Sequence, residues 1–578
     1  MTRELMPELT PALTTASAQK KIVIVGGVAG GMSAATRLRR LDEAAEIIVF
    51  ERGAHVSFAN CGLPYYVGGA IEKRDSLLLQ TPQSLFERFR LDVRVKHEVI
   101  AIDREHRRVV VRDLLTGQTH SEHYDSLILA GGAQAREGVA GGEIPVRTLR
   151  TVEDVDFITA ELTDAGPSAR AVVIGGGFIG LEAVENLVRR GLNVTLVHRG
   201  AHPLSPLDAE MASPVLDALT LHGVDVRLGT SVTNLTSDGV QLSDGSTIEA
   251  TLVIEASGVT PDTGLAADAG LTIGAAGGIA VDAFQRTNDP SIYAVGDGVE
   301  KIDAISNTAT LVTMAGLANR HGRSAADAIC GLAEPSTPAL GTAIVGVFDL
   351  TIALVGWNER RLRAAGRPHR VVHTHPLSHA GYYPGAEQMA LKLLIDSETD
   401  LILGAQIVGR DGVDKRIDVI ATGMAGGLTA SALSRLELAY APQFGSAKDA
   451  VNLAGYVADN LRTGATRSIQ WHELDAARAN GAILVDVRSA GEFDRGSIPG
   501  AINLPLDEIR DRMGALPDAP LIVHCQVGQR GHTAARLLTQ LGADVRNLDG
   551  GFKTWEAGLL STRPTNLMKE KEHDRAIQ

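Results

Sequence analysis

Sulfur is scarce in this chain: its 578 residues include three cysteines, Cys61, Cys330 and Cys525, and none has a second cysteine nearby in sequence. That excludes a disulfide framework and matches a reducing compartment, so a cytoplasmic location is expected. It also excludes an adjacent dithiol pair, so any sulfur chemistry must use one thiol at a time and take its second sulfur from another molecule. Long apolar runs are missing too. None approaches the ~20 residues of a membrane span, and residues 1–20 lack the apolar core of a signal peptide, so they read as a loose leader. Positive charge is in deficit, with 55 Lys and Arg against 69 Asp and Glu and a net charge of -14. This argues against a nucleic-acid partner, which calls for a basic patch. No metal ligand set is expected.

Glycine, by contrast, is plentiful at 62 residues, as suits tight turns that bring backbone close to phosphates. The apolar run Ile22-Val23-Ile24-Val25 enters Gly26-Gly27-Val28-Ala29-Gly30-Gly31, then a helix, then a second strand ending in Glu51. This is a βαβ unit with an acid about twenty residues past the turn. The pattern recurs at Val172-Val173-Ile174, Gly175-Gly176-Gly177-Phe178-Ile179-Gly180, and strand Val194-Thr195-Leu196-Val197. One such turn is weak; two imply two nucleotides with electron transfer between them.

A chain this long needs several cores. The expected division is an FAD-binding domain over 21–145 and 280–335, an NAD(P)H-binding domain over 146–279, and a mixed α/β domain over 336–461. A linker over 462–467, a compact α/β module over 468–562 and a frayed tail over 563–578 complete it. The fold class is α/β, with two Rossmann-like domains.

In the first fold, backbone N–H groups at the helix start can approach a pyrophosphate, and Glu51 can accept both ribose hydroxyls of an adenosine. Val28 stands at the middle glycine position, so Gly27 or Gly30 takes part of that role. The FAD candidates are Gly26, Ala29, Gly30, Gly31, Glu51, Arg52, Ala130, Gly131, Gly296 and Asp297. In the second fold the candidates are Gly175, Gly177 and Gly180, with His198 and Arg199 where an acid usually stands. An Arg there pairs with a 2′-phosphate, which favours NADPH; the alternative is a solvated His-Arg pair in a site taking NADH or both.

Residues 21 to about 460 resemble the pyridine nucleotide-disulfide oxidoreductases, in particular their single-cysteine coenzyme A-disulfide reductase branch. The carrying segments are Ser57-Phe58-Ala59-Asn60-Cys61-Gly62-Leu63-Pro64-Tyr65-Tyr66, Tyr293-Ala294-Val295-Gly296-Asp297, His379-Ala380-Gly381-Tyr382-Tyr383-Pro384-Gly385 and Ala439-Tyr440-Ala441-Pro442. Dithiol relatives carry a second cysteine five residues on, where this chain has Tyr66. The resemblance implies FAD across the first fold, Asp297 on its ribityl chain, and a dimerisation domain after residue 336. It implies a homodimer in which Tyr382 and Tyr440 reach the other subunit's cysteine as proton donors, and coenzyme A held by Arg40, Ser57 and Asn60. Cys61 must attack as a thiolate, so its pKa is expected below the free value of about 8.5.

Residues 468–562 resemble a single rhodanese domain, through Leu484-Val485-Asp486-Val487-Arg488, Glu492-Phe493, Gly496-Ser497-Ile498-Pro499-Gly500-Ala501 and Leu548-Asp549-Gly550-Gly551. Ser497 stands where the family often has His. The loop Cys525-Gln526-Val527-Gly528-Gln529-Arg530 sets four residues between Cys and Arg. Phosphatases of this fold need one more, so the loop is sized for sulfur. Consecutive N–H groups with Arg530 are expected to cradle a persulfide anion on Cys525.

Joined, the sites predict an FAD-dependent NAD(P)H reductase of CoA-disulfide, CoA-persulfide or polysulfide, with Cys525 accepting sulfane sulfur from small-molecule donors such as thiosulfate. The alternatives are an oxidase or peroxidase cycling Cys61 through a sulfenic acid, and a flavin-based sensor of sulfane sulfur.

Overall fold

The computed structural model describes residues 19–562 apart from 137, 139–143, 167–168, 238 and 333. The expected tail lies outside the described residues, as does the leader save for residues 19 and 20.

The first sheet is parallel. Its spatial order is Ile292–Ala294, Ser126–Leu129, Lys21–Val25, Glu46–Glu51, Asp92–Val95. Its central strand is apolar from Ile22 to Val25 because both faces are covered. Ile22 and Ile24 pack on the helix Ala29–Leu41, through Met32, Ala35 and Leu38. Val23 packs on the antiparallel meander His97–Asp103, Arg108–Asp113, Thr119–His123, through Val99, Val109 and Val111.

A second parallel sheet repeats the plan in the order Asp225–Leu228, Asn193–His198, Arg170–Ile174, Leu252–Glu255, Val146–Arg147. An antiparallel ribbon joins the two folds, with Thr260 opposite Gln134. The third sheet is antiparallel, in the order Ala343–Val347, Leu350–Gly356, Ile402–Gly409, Ala390–Asp396, His369–Thr374. The strand Ile402–Gly409 is buried throughout. On one face the sheet meets Val413–Ala425 and Ala450–Arg462; on the other, Val345, Ile352 and Val408 join Met211 and Val215 of the helix Ala209–Leu221.

The fourth sheet is parallel, in the order Ser468–Ile469, Val545–Leu548, Leu521–His524, Ile483–Asp486, Ile502–Asn503. Its last helix, Gly551–Thr562, packs against Ala209–Leu221 of the second nucleotide fold. The two Rossmann-like folds, the antiparallel α/β layer and the terminal α/β module are the architecture the sequence predicts. No helix among the described residues is long and apolar enough to cross a membrane.

Candidate active sites

The two glycine turns are built alike. Gly26 (φ +104°) abuts the Ala130 carbonyl so closely that a Cβ would strike it, and a Cβ on Gly31 would strike the Gly26 carbonyl. Gly175 (φ +106°) and Gly180 repeat this against Ala256 and Gly175. Neither helix, Ala29–Leu41 nor Phe178–Arg189, is capped by a side chain, which leaves first-turn N–H groups of both available to an anion. Such cradles fit a pyrophosphate each.

The positions after the second strands differ. Glu51 accepts from the Gly27 and Gly53 N–H groups, both at 2.7 Å. In the second fold His198 Nδ1 accepts from Gly176 N–H at 3.1 Å, which leaves the proton on Nε2. Nε2 has no partner among the described residues, and burial followed by the neighbouring His202 holds the ring's pKa down. Arg199 is exposed beside it. A neutral donor and a cation thus stand where the first fold has a carboxylate. Elsewhere in the first fold, Arg52 pairs with Asp262 at 3.0 Å, and Gly131 also lies beside Asp262. Gly296 (φ +89°) turns the chain into Asp297, its carbonyl accepting from Lys301 Nζ at 2.6 Å. Burial raises Asp297 despite Lys301 and Arg150.

Cys61 is held by three local features. Ser57, in the left-handed region at φ +46°, donates its N–H to the Gly27 carbonyl at 2.9 Å, tying the loop to the first glycine turn. The Ala59 N–H bonds the Leu77 carbonyl at 2.7 Å. Asn60–Gly62 then forms a 3₁₀ turn that opens the helix Leu63–Val67, whose Leu63 and Val67 pack in one core with Leu181 and Val184 of Phe178–Arg189. Arg190 Nε donates to the Val67 carbonyl at 2.6 Å, and the Tyr65 hydroxyl to Glu182 Oε1 at 3.2 Å.

The thiol is exposed, yet its pKa is raised rather than lowered: by burial first, then by Glu182, then by Asp297. The expected depression rests on a flavin as well as on a helix N-terminus, and the protein's own groups act the other way. A five-residue helix offers little positive potential, whereas two carboxylates bear on the sulfur. Those acids come from different domains, so Cys61 lies within electrostatic reach of both the Gly296-Asp297 turn and the second fold's helix. Glu182 escaped sequence reasoning; its signal was an acid two residues past the last glycine of the second turn.

Asn60 and Arg40 are exposed, and Arg40 ends the helix Ala29–Leu41 one turn from Arg37. Arg37 pairs with Asp327 at 2.6 Å and Arg39 donates to the Phe89 carbonyl at 2.8 Å. Arg40 has no ion-pair partner among the described residues. Tyr382 and Tyr440 are brought together, oxygen to oxygen at 2.8 Å, and are 76% and 48% exposed. They bond each other rather than any group of the Cys61 loop.

Cys525 is 1% exposed, at the end of Leu521–His524. Gly528 (φ +89°) turns the chain into the helix Gln529–Gln540, which has no side-chain cap. Phe552 and Lys553 N–H groups bond the carbonyls of Cys525 and Gln526 at 2.8 and 3.0 Å. Gly551 lies so near that a Cβ there would meet the Cys525 carbonyl. Arg530 adjoins the thiol, but its guanidinium is gripped by Glu492 at 2.7 and 2.6 Å. That bidentate pair, then the Cys525 sulfur, raises Arg530 further, and the Arg530 bond lowers Glu492 to about 2. Arg530 thus stands between Glu492 and the Cys525 sulfur, and both hold it charged.

Residues 20–315 match the pyridine nucleotide-disulphide oxidoreductase model and 342–451 its dimerisation domain. The chain belongs to the pyridine nucleotide-disulphide oxidoreductase family. Residues 470–558 match the rhodanese-like domain. The chain is 36% identical over 439 residues to coenzyme A disulfide reductase of Staphylococcus epidermidis, covering 76% of this chain and 99% of the relative. Among solved structures, reduced Bacillus anthracis CoADR-RHD superposes with a TM-score of 0.91 at 45% identity, covering 94% and 99%. A NAD-dependent persulfide reductase from A. fulgidus does so at 0.87 and 35%, covering 93% and 100%.

In this member of the family the rhodanese-like domain is bound to the reductase by buried charge. Asp549 Oδ2 accepts from His373 N–H and faces His373 Nδ1, both at 2.8 Å. His373 Nε2 reaches Glu210 on Ala209–Leu221 at 3.1 Å. Burial opposes charge on His373, but Asp549 and Glu210 outweigh it and raise its pKa to about 9. Behind it Lys392 Nζ lies 2.9, 2.5 and 2.6 Å from Asp208, Glu210 and Glu359, standing where these three acids could otherwise collect a metal ion. His373 and Lys392 carried no signal in sequence; only the fold aligns them.

Proposed function

We propose that the chain is an FAD-dependent NAD(P)H oxidoreductase that reduces CoA-disulfide, CoA-persulfide or polysulfide at Cys61, with Cys525 supplying sulfane sulfur. The observation that carries this is geometric: the Cys61 loop is tied to the first glycine turn by the Ser57 N–H bond to the Gly27 carbonyl, and the helix it opens is tied to the second fold by the Tyr65 hydroxyl bond to Glu182. The named relatives, a coenzyme A disulfide reductase and a persulfide reductase, share that scaffold and agree with the reading.

The Cys61 thiolate attacks a disulfide or persulfide sulfur, forming a mixed disulfide and expelling a thiolate or hydrosulfide. Tyr382 and Tyr440 of a second copy protonate the leaving group; their exposure, with Phe444 also exposed, suits a homodimer interface. FAD and NAD(P)H, when bound, supply the electron pair that returns Cys61 to its thiolate. Gly26, Ala29, Gly30, Gly31, Glu51, Arg52, Ala130, Gly131, Gly296 and Asp297 hold FAD. Gly175, Gly177, Gly180, His198 and Arg199 hold the nicotinamide cofactor, and the His198 Nε2 donor with the Arg199 cation favours a 2′-phosphate. Arg40, unpaired, takes a coenzyme A phosphate, with Ser57 and Asn60 nearer the thiol. The enzyme is cytoplasmic.

Mass spectrometry of the purified protein under denaturing, non-reducing conditions tests the ligand: a coenzyme A adduct on Cys61 is expected. Turnover decides between reductase, oxidase and sensor. Faster NADPH consumption with oxygen or peroxide than with persulfide, or a single stoichiometric reduction, overturns the proposal.

A further inference from the structure

We infer, on the reading of the first fold as the FAD site, that Lys301 raises the reduction potential of the flavin bound there. Its buried positive charge meets the negative charge that reduction leaves on the ring. Lys301 opens the short strand Lys301–Ile302, which pairs with Ala309–Thr310. Neighbouring side chains of a strand face opposite ways, and here the usual sorting is reversed. Lys301 is 5% exposed, whereas Ile302 is 47% exposed. A one-residue slip of the pairing would bury the isoleucine and release the charge. The cation is therefore held inside against its solvation cost.

What holds it is the Gly296-Asp297 turn. Lys301 Nζ donates to the Gly296 carbonyl at 2.6 Å and to the Val299 carbonyl at 2.8 Å, so its two acceptors flank Asp297. No carboxylate of the described residues comes within ion-pairing distance of Nζ, and Asp297 is the acid whose field reaches it. Burial lowers Lys301 to about 8 against Asp297, which leaves it charged at neutral pH. Asp297 is also shared, because Arg150 bears on it too. His321, on the helix Ala315–Ile329, is 6% exposed, and its Nδ1 has no partner among the described residues. Burial first, then Lys301, lowers that ring to about 4, so it stays neutral. Lys301 thus shares its one acid and gains none from His321, and its charge is left under-compensated.

An under-compensated buried cation calls for an anion. On the FAD reading, hydride transfer from NAD(P)H supplies one. Two electrons and one proton enter a neutral isoalloxazine, and one negative charge stays on the ring. Lys301 then gains an opposite charge in the reduced state that it lacks in the oxidised state, and a potential measures that difference.

The test is the midpoint potential of the FAD in the full-length protein, followed by absorbance, for wild type, K301M, K301Q and K301R. Each is placed in the Cys61→Ser background, so that the flavin alone accepts electrons. K301M has a side chain of similar length without the charge, and apolar replacement of a buried ion is often tolerated. K301Q also lacks the charge but can still donate to the Gly296 carbonyl. Both should lower the ratio of reduced to oxidised flavin at a fixed potential by at least about tenfold, or about 30 mV for this two-electron couple. K301R, which keeps the charge, should stay within about threefold of wild type. Equal potentials in wild type and K301M, or in K301R and K301M, overturn the inference. A fall in K301M that K301Q does not share overturns it as well, since the hydrogen bond and not the charge would then matter. Loss of FAD from both neutral variants also overturns it, because Lys301 would then hold the cofactor rather than tune it. A wild type that binds no FAD fells the reading of the first fold itself, a separate result.

Discussion

Cys61 and Cys525 occupy opposite kinds of site. Cys61 is exposed on a 3₁₀ turn, at a seam between two nucleotide folds, and the charges that reach it are both negative. Cys525 is buried at the end of a strand, before an uncapped helix, with Arg530 paired to Glu492 and Arg488 to Asp486 nearby. At the first site the protein's own carboxylates oppose the thiolate. On the proposed roles, the thiol that exchanges electrons with a cofactor lies open, while the one that stores sulfur is enclosed.

Exchanging the two sulfurs for oxygen tests that division most severely. Cys61→Ser should lower NAD(P)H-dependent reduction of CoA-disulfide and persulfide by about 10⁴-fold or more, since the proposed nucleophile is lost. It should leave sulfur loading on Cys525 intact. Cys525→Ser should abolish transfer from sulfane donors and spare CoA-disulfide reduction. Loss of both activities in either variant would merge the two sites into one.

A smaller but still large effect is expected where the sites are physically joined. His373→Leu leaves Asp549 and Glu210 buried without their shared cation, which costs about 3–5 kcal/mol. Denaturant unfolding should register this, and hydrogen exchange should rise in Ala209–Leu221 and Gly551–Thr562. The same pair predicts a pH window. The folded pKa of His373 is raised from 6.5 to about 9 by Asp549 and Glu210 against burial. Its stabilisation is therefore complete below the unfolded value, and is lost as pH rises through about 9. Exchange across the domain contact, corrected for its intrinsic rise with pH, should accelerate between pH 7 and 10 in wild type and not in His373→Leu. A flat wild-type profile would show that His373 is not the charged link.

Much of the molecule is legible in the chain. The glycine turns forecast both nucleotide folds because only glycine permits the approach of Gly31 to the Gly26 carbonyl and of Gly180 to Gly175. The acid Glu51 and its replacement by His198 are visible as well, since the end of a strand fixes where the next side chain stands. Hidden are the partners that only tertiary structure supplies. Glu182 lies 121 positions from Cys61 (182 minus 61) yet is the foremost charge on its sulfur. Asp549 and His373 are bonded at a separation of 176. Arg530 looks free in the sequence because nothing local reveals that Glu492, on another helix, grips it. Turn chemistry is written in neighbours; electrostatics is written in the fold.

The finest probe of the contrast is the acid beside Cys61. Burial is the main cause of the raised thiol pKa and remains in any conservative variant, but Glu182 is the largest charged contributor. Glu182→Gln should therefore shift the pH dependence of Cys61 alkylation to lower pH, with faster labelling at neutral pH. Iodoacetamide labelling of Cys61, followed by peptide mass spectrometry across pH 6 to 10, reads the shift, with Cys525 in the same samples as the control that should not move. A Cys61 profile unchanged in Glu182→Gln would mean that desolvation alone sets the thiol, and the two cysteines would then differ in exposure rather than in charge.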